Sequence, residues 1–144
     1  MYIRAAEPFI TRAEFIGGKF HYAVKVDTSE GFELCPSDAC AVEEAFCPAA
    51  PEAVSDPARP KFQIIKDFSD PIIARIERVL EASGVEVAGV EFIREPDGGL
   101  FVYDINSNTN YNNAAERAAG VPEIAPARLA RFLGEELKRV QRQS

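Results

Sequence analysis

Two stretches near the C-terminal end decide the fold: Gly89-Val-Glu-Phe-Ile93 and Leu100-Phe-Val-Tyr-Asp-Ile-Asn106. Both are rich in β-branched and aromatic residues, which favour strands. Between them lies Glu95-Pro-Asp-Gly-Gly99, whose Asp97-Gly98 pair suits a two-residue type I′ turn. The two stretches are therefore predicted to form an antiparallel β-hairpin.

This predicted hairpin brings two carboxylates opposite each other. With the turn at Asp97-Gly98, Glu91 pairs with Asp104, and Gly89 pairs with Asn106. Like charges that face each other on a sheet repel, but a cation between them removes the repulsion. Oxygen ligands from Asp, Glu and Asn suit a hard ion such as Mg²⁺ or Mn²⁺. The alternative is that both acids are exposed on a solvated sheet face, since strands commonly alternate apolar and polar residues.

A second hairpin is predicted around Gly17-Gly18, which is flanked by two stretches of strand-like composition. A turn at the two glycines pairs Arg12 with Ala23 and places Arg12 diagonal to Lys25. The two cations would then share one face of the hairpin, within reach of a common anion. Taken alone, such cations are most often ordinary surface residues.

The remaining patterns predict the other elements and the core. Tight hairpins require antiparallel pairing, so the predicted class is α+β, a mostly antiparallel sheet with helices packed on one face. We expect the core face of the C-terminal hairpin to carry Ala88, Val90, Phe92, Phe101, Tyr103 and Ile105. The other predicted strands are Phe9–Ile16, Lys19–Asp27, Phe32–Pro36 and Phe62–Ile65. The predicted helices run from Ser37 or Asp38 to Phe46, from Asp70-Pro71 to Gly84, over Asn112–Ala119 and over Pro126–Val140, and a mobile loop is predicted over 47–60. The last helix is predicted to turn its apolar residues inward: Leu129, Phe132, Leu133, Leu137 and Val140.

Size and composition exclude several classes of protein. A chain of 144 residues with 47% hydrophobic residues suits a single globular domain spanning 1–144. Its net charge of −7 argues against a nucleic-acid surface, and its apolar runs are too short for a membrane span. The odd number of cysteines (Cys35, Cys40, Cys47) disfavours a disulfide framework, and no signal peptide is visible. We therefore expect a cytoplasmic protein.

Three pieces of the sequence together resemble a known enzyme family. Gly89-Val-Glu91 is similar to a strand that holds a first metal carboxylate. Tyr103-Asp-Ile-Asn-Ser-Asn-Thr-Asn110 is similar to an acidic-x-Asn strand end that supplies the remaining metal ligands. Thr11-Arg-Ala-Glu-Phe-Ile-Gly-Gly-Lys-Phe-His-Tyr-Ala-Val-Lys25 is similar to an Arg-bearing hairpin beside nucleotide phosphates. In their order along the chain, the three pieces resemble the C-terminal half of an ATP-grasp domain of the carboxylate–amine ligases, which include α-L-glutamate ligases.

The resemblance implies a role for each matching position. Arg12 would be catalytic and would contact the γ-phosphate of ATP or the acyl phosphate formed from it, with Lys25 as a second positive group on the nucleotide. Asn108 and Asn110 follow the metal strand and could reach nucleotide or substrate. The implied ligands of Mg²⁺, or of Mn²⁺ in its place, are Glu91, Asp104 and Asn106.

The chain also departs from the family pattern. It has no G-x-G-x-x-G or G-x4-G-K motif and nothing similar to the family's preceding nucleotide-binding half. We therefore expect a fragment or natural half of a ligase that joins a small carboxylate to an amine with Mg-ATP, inactive or nearly so alone. The alternatives are a non-catalytic half-fold that dimerises or pairs with a partner chain through its open cleft face, and a simple divalent-cation-binding domain.

Overall fold

A computed structural model of the protein describes residues 5–29 and 60–143. These residues form the elements β1 (Phe9–Ile16), β2 (Lys19–Asp27), β3 (Phe62–Ile65), α1 (Ile72–Ser83), β4 (Val87–Arg94), β5 (Leu100–Asn106), α2 (Asn113–Ala119) and α3 (Ala125–Gln143). The strand and helix predicted between 32 and 46, the three cysteines, and all but Pro60 of the loop predicted over 47–60 lie outside the described residues.

The five strands form one sheet in the order β3-β2-β1-β4-β5, and every neighbouring pair is antiparallel. Strand β1 lies at the centre and pairs with both β2 and β4. The two predicted hairpins are therefore side by side in one sheet, which confirms the α+β class. No helix among the described residues combines the length and apolar composition that a membrane span needs.

The sheet is covered on both faces, and β1 has buried side chains on each of them. Ala13 and Phe15 face α1, whose Ile76 and Leu80 pack in the same buried cluster. Ile10 and its neighbours on the opposite face pack against the start of α3. The prediction that the helices lie on one face is therefore wrong, although the class is right.

The helix boundaries follow the sequence signals. The carboxylate of Asp70 accepts the backbone amide of Ile72 at 2.9 Å, and Gly84 ends α1 with a φ of 65°. The side chain of Asn112 accepts an amide from the first turn of α2, and Gly120 ends that helix with a φ of 70°. These are the N-cap and C-cap arrangements that the residue types favour.

The terminal helix departs from its predicted packing. Its apolar stripe packs on the sheet through Leu129 and Phe132. Leu133, Leu137 and Val140, which were predicted to point inward, are each more than half exposed. Among the described residues the buried cluster on this face extends no further along α3 than Phe132.

Candidate metal and phosphate site

A row of charged residues crosses three neighbouring strands on one face of the sheet. Arg12 on β1 pairs with Glu91 on β4, and Glu91 pairs with Asp104 on β5. Paired residues on antiparallel strands project to the same face with their Cβ atoms about 5 Å apart. The predicted juxtaposition of the two carboxylates is therefore confirmed, and the central strand adds a cation beside them.

The next row on the same face completes a polar cluster. Glu14 on β1 pairs with Gly89 on β4, and Gly89 pairs with Asn106 on β5, as predicted for the second of these pairs. Residues two apart on a strand share a face. Arg12, Glu14, Glu91, Asp104 and Asn106 therefore lie together.

The register of the C-terminal hairpin arises differently from the prediction. Asp97 has a negative φ, so the type I′ turn is absent, and the strands are joined by a five-residue loop over 95–99 with Gly98 at a φ of 90°. A bulge between Glu91 and Phe92 then shifts the register by one residue. The two departures offset each other, so that Glu91 still meets Asp104.

The bulge also changes the role of Tyr103. This residue was predicted on the core face, but it is 42% exposed and its hydroxyl donates a hydrogen bond to Oε2 of Glu91 at 2.9 Å. A bulge breaks the strict alternation of side chains along a strand, which explains the error. Ile105, also predicted on the core face, is 48% exposed on this edge strand.

A second bulge separates the two predicted cations. The register of β1 and β2 shifts between Glu14 and Phe15, so Arg12 pairs with Val24 instead of Ala23. Lys25 therefore projects to the opposite face, where its Nζ lies 4.1 Å from the centre of the Phe9 ring. The prediction that Arg12 and Lys25 share a face is wrong.

The guanidinium of Arg12 is held by three side chains. Its Nε donates to Oε1 of Glu14 at 2.7 Å, and its Nη1 donates to Oε1 of Glu91 at 3.1 Å. Its Nη2 donates to Oγ1 of Thr109, whose hydroxyl donates to Oε2 of Glu14 at 2.9 Å. Arg12 is 4% exposed and Glu14 is 2% exposed, so this is a buried network.

Burial and charge set the protonation of this network. Burial lowers the pKa of Arg12, but the charges and hydrogen bonds of Glu14 and Glu91 outweigh it and raise that pKa overall. Burial raises the pKa of Glu14, while Arg12 and Thr109 act in the opposite direction. Burial and the charge of Glu91 raise the pKa of Tyr103, whose hydroxyl therefore stays protonated and able to donate.

Gly89 provides the space that Arg12 occupies. A Cβ atom at this position would lie 2.5 Å from Nη2 and 2.8 Å from Cζ of Arg12. Such distances are well inside van der Waals contact. The side chain of Arg12 therefore lies directly over the backbone of Gly89, between the two rows of polar residues.

Solved structures of ATP-grasp ligases share this architecture. The ligase PsnB with Mg, ADP and a phosphomimetic precursor variant matches with a TM-score of 0.50 and 16% identity over 83% of this chain and 30% of its own. PsnB with precursor peptide PsnA2 and AMPPNP matches with a TM-score of 0.50 and 14% identity, over 83% of this chain and 29% of its own. The macrocyclase MdnC bound to precursor peptide MdnA, from Microcystis aeruginosa MRC, matches with a TM-score of 0.52 and 11% identity, over 90% of this chain and 34% of its own.

The described residues share their fold with one part of these ATP-grasp ligases. The chain spans about a third of the length of these ligases. The sequence matches no protein-family model, and no curated protein matches it either.

The donor set on this ATP-grasp sheet fits a divalent cation that also binds phosphate. In the described part of the chain, no three His, Cys, Asp or Glu side chains gather to form a metal site by themselves. Glu91, Asp104 and Asn106 offer two carboxylates and one amide. Mg²⁺ is usually held by one or two carboxylates, with substrate phosphates and waters as its other ligands.

The segment after β5 is only partly as predicted. Oδ1 of Asn106 accepts the backbone amide of Asn108 at 2.8 Å, which is an Asx-type turn. The side chains of Asn108 and Asn110 are exposed, and it is Thr109 that contacts Arg12. Roles for the two asparagines in binding stay predictions.

Sequence reasoning missed Glu14, Thr109 and the functional position of Tyr103. A signal existed for Glu14, because an acid two residues from Arg12 on a strand must share its face. A pairing between β1 and β4 would also have been needed to bring Glu91 to Arg12. Thr109 carried no signal, since it lies in an irregular segment and meets Glu14 across 95 positions of sequence.

Proposed function

We propose that this chain supplies the metal- and phosphate-binding part of an ATP-grasp ligase. That enzyme would join a carboxylate to an amine through an acyl phosphate made with ATP. The observation that supports it most is the row in which Arg12, Glu91 and Asp104 occupy paired positions. A cation beside two carboxylates on an ATP-grasp sheet suits a site that binds metal and phosphate together.

In this proposal Glu91, Asp104 and Asn106 hold Mg²⁺, with Mn²⁺ as a substitute. The ion would neutralise charge on the phosphate oxygens, the main requirement of phosphoryl transfer. Among Arg12, Glu14, Glu91 and Asp104, one side chain is cationic and three are acidic. This excess of negative charge favours the binding of a divalent cation.

Arg12 is the proposed phosphate contact. A guanidinium has five N–H groups, and three nitrogens of Arg12 each already donate one hydrogen bond. The two remaining N–H groups suit a phosphate or acyl phosphate oxygen. Since only 4% of Arg12 is exposed, this contact needs a local opening when substrate binds. Lys25 takes no part in the phosphate contact, because its side chain projects to the other face of the sheet. The exposed Asn108 remains a proposed nucleotide contact.

The proposed reaction belongs to a larger enzyme. The chain spans 29–34% of the length of the ATP-grasp ligases it matches. We therefore expect the 144-residue chain to bind Mg²⁺ and nucleotide weakly and not to complete the ligation. The carboxylate and the amine would be chosen by parts of the enzyme beyond this chain.

Titration of the chain with Mn²⁺, with and without the ATP analogue AMPPNP, tests this function. We expect the analogue to tighten Mn²⁺ binding, because its phosphates add ligands to the ion and meet Arg12. Mn²⁺ binding that is indifferent to AMPPNP would instead favour the simple divalent-cation-binding domain. No Mn²⁺ binding under either condition would contradict both.

A second candidate function is a non-catalytic module that pairs with a second copy of itself. The observation in its favour is the exposure of two leucines on one face of α3, Leu133 at 55% and Leu137 at 59%. From the sequence, this pairing was instead expected on the open cleft face. Light scattering distinguishes the candidates: a dimer lost in Leu133→Gln/Leu137→Gln supports the module, whereas a monomer contradicts it.

A further inference from the structure

We propose that Thr109 and Glu14 are positioning residues that hold Arg12 so that it orients the carboxylate of Glu91 for metal binding. This inference rests on the proposed function, since Glu91 must be a metal ligand for its orientation to matter. It assigns a purpose to residues that the metal and phosphate roles leave unused.

The first step is a closed ring of side chains. Arg12 donates to Glu14 at 2.7 Å and to Thr109, and Thr109 donates to Glu14 at 2.9 Å. Each of the three is therefore bonded to the other two. The guanidinium also lies directly on the backbone of Gly89, so the ring and this close contact together limit its freedom to turn.

The second step leads from the ring to Glu91. Nη1, the nitrogen of Arg12 that the ring does not use, donates to Oε1 of Glu91 at 3.1 Å. Oε2 of the same carboxylate accepts from the hydroxyl of Tyr103 at 2.9 Å. Each oxygen of Glu91 thus has one fixed donor from the protein, and each keeps lone pairs for a cation.

The third step concerns the segment that follows the metal strand. Thr109 lies three residues after Asn106, and its bonds to Arg12 and Glu14 fasten that segment to the central strand β1. Asn106 and Glu91 are therefore positioned by the same ring from two sides. Partners that orient metal ligands in this way typically change metal affinity or activity by 10–100-fold when they are mutated.

Thr109 offers a clean test, because two substitutions separate its hydroxyl from its shape. Thr109→Val keeps the shape and charge but removes the hydroxyl, and Thr109→Ser keeps the hydroxyl. We expect Mn²⁺ binding to the 144-residue chain, measured by electron paramagnetic resonance, to weaken about tenfold in Thr109→Val and to stay near wild type in Thr109→Ser. The control is Thr11→Val, the same substitution at a threonine that projects from β1 on the face opposite Arg12. It should bind Mn²⁺ like wild type.

A second variant guards against a fold defect in Thr109→Val. Tyr103 is 42% exposed, so Tyr103→Phe should fold, and removing its hydroxyl should also weaken Mn²⁺ binding about tenfold. A readout without metal is solvent exchange of the Arg12 Nε–H by NMR, which should be faster in Thr109→Val than in Thr109→Ser.

The outcomes separate this inference from the function on which it rests. Wild-type affinity in Thr109→Val would overturn the positioning role while leaving the metal site intact. Equal losses in Thr109→Ser and Thr109→Val would also overturn it, because the hydroxyl would then be irrelevant. A wild-type chain that binds no Mn²⁺ would contradict the proposed function itself.

Discussion

Arg12 and Glu91 occupy paired positions on the neighbouring strands β1 and β4, and Nη1 of Arg12 donates to Oε1 of Glu91 at 3.1 Å. This contact joins the two hairpins at the centre of the sheet. It also places a cation next to the two carboxylates that face each other on β4 and β5. The site depends on the strand order as well as on the residues themselves.

Replacing Arg12 with methionine should destabilise the fold severely. The substitution leaves Glu14, which is 2% exposed, without the cation that compensates its buried charge. Removing one partner of a buried ion pair typically costs about 3–5 kcal/mol. Chemical denaturation should therefore show a much lower free energy of unfolding for Arg12→Met.

The control for that substitution is Arg131→Met on α3, which removes exposed ion pairs with Glu123 and Glu135. It should change stability far less, because exposed pairs contribute little. Equal losses in the two variants would mean that the buried network is no more important than a surface ion pair.

Replacing Gly89 with alanine should disturb the site through a single methyl group. Its Cβ would lie 2.5 Å from Nη2 of Arg12, so the guanidinium or the strand must move. Overpacking of this kind typically costs about 1–3 kcal/mol. We expect a lower melting temperature and weaker Mn²⁺ binding in Gly89→Ala.

Gly134→Ala is the matched control for that change, because a Cβ at Gly134 meets no described atom within 4 Å. Alanine is favoured over glycine inside a helix, so this variant should be as stable as wild type or more so. If Gly89→Ala behaved in the same way, Arg12 would not depend on the space above Gly89.

The stability of the fold should depend on pH through Glu14. Burial raises the pKa of this carboxyl above its usual value near 4.5, so the folded chain holds the proton more tightly than the unfolded chain. The stabilisation that comes from this tighter proton binding is full below pH 4.5 and is lost as the pH rises through the higher folded pKa. Glu14→Gln should remove this loss.

Thermal melts from pH 4 to 8 measure this dependence. The melting temperature of Glu14→Gln, relative to wild type, should rise with pH across this window. Glu81→Gln on the exposed surface of α1 corrects for the general change in net charge. A difference between Glu14→Gln and wild type that stays constant with pH would contradict the raised pKa.

Local patterns in the sequence predict the hairpins and the helix ends well. Asn112, Gly84 and Gly120 act as expected, because capping depends on neighbouring residues. Pro71 takes the N-cap position of α1 predicted for Asp70, whose carboxylate still accepts the amide of Ile72. The pairing of Glu91 with Asp104 was also predicted correctly, although the turn and a bulge each differ from the prediction and offset each other.

Features that depend on bulges and on distant strands could not be predicted. A single extra residue in β2 moves Arg12 from Ala23 to Val24 and removes Lys25 from its face. Strict alternation gives no sign of such an insertion. The β1–β4 pairing joins segments far apart in sequence, so neither the contact of Arg12 with Glu91 nor that of Glu14 with Thr109 was foreseen.

The most direct test of the metal site compares two aspartates in one hairpin. Asp104→Asn removes the proposed metal carboxylate on β5, and Asp97→Asn makes the same chemical change in the loop while keeping the Oδ1 that accepts the Gly99 amide. In calorimetric titrations with Mn²⁺ and AMPPNP, we expect at least a tenfold loss of affinity for Asp104→Asn and none for Asp97→Asn. Equal affinities in wild type, Asp97→Asn and Asp104→Asn would contradict a cation held between Glu91 and Asp104.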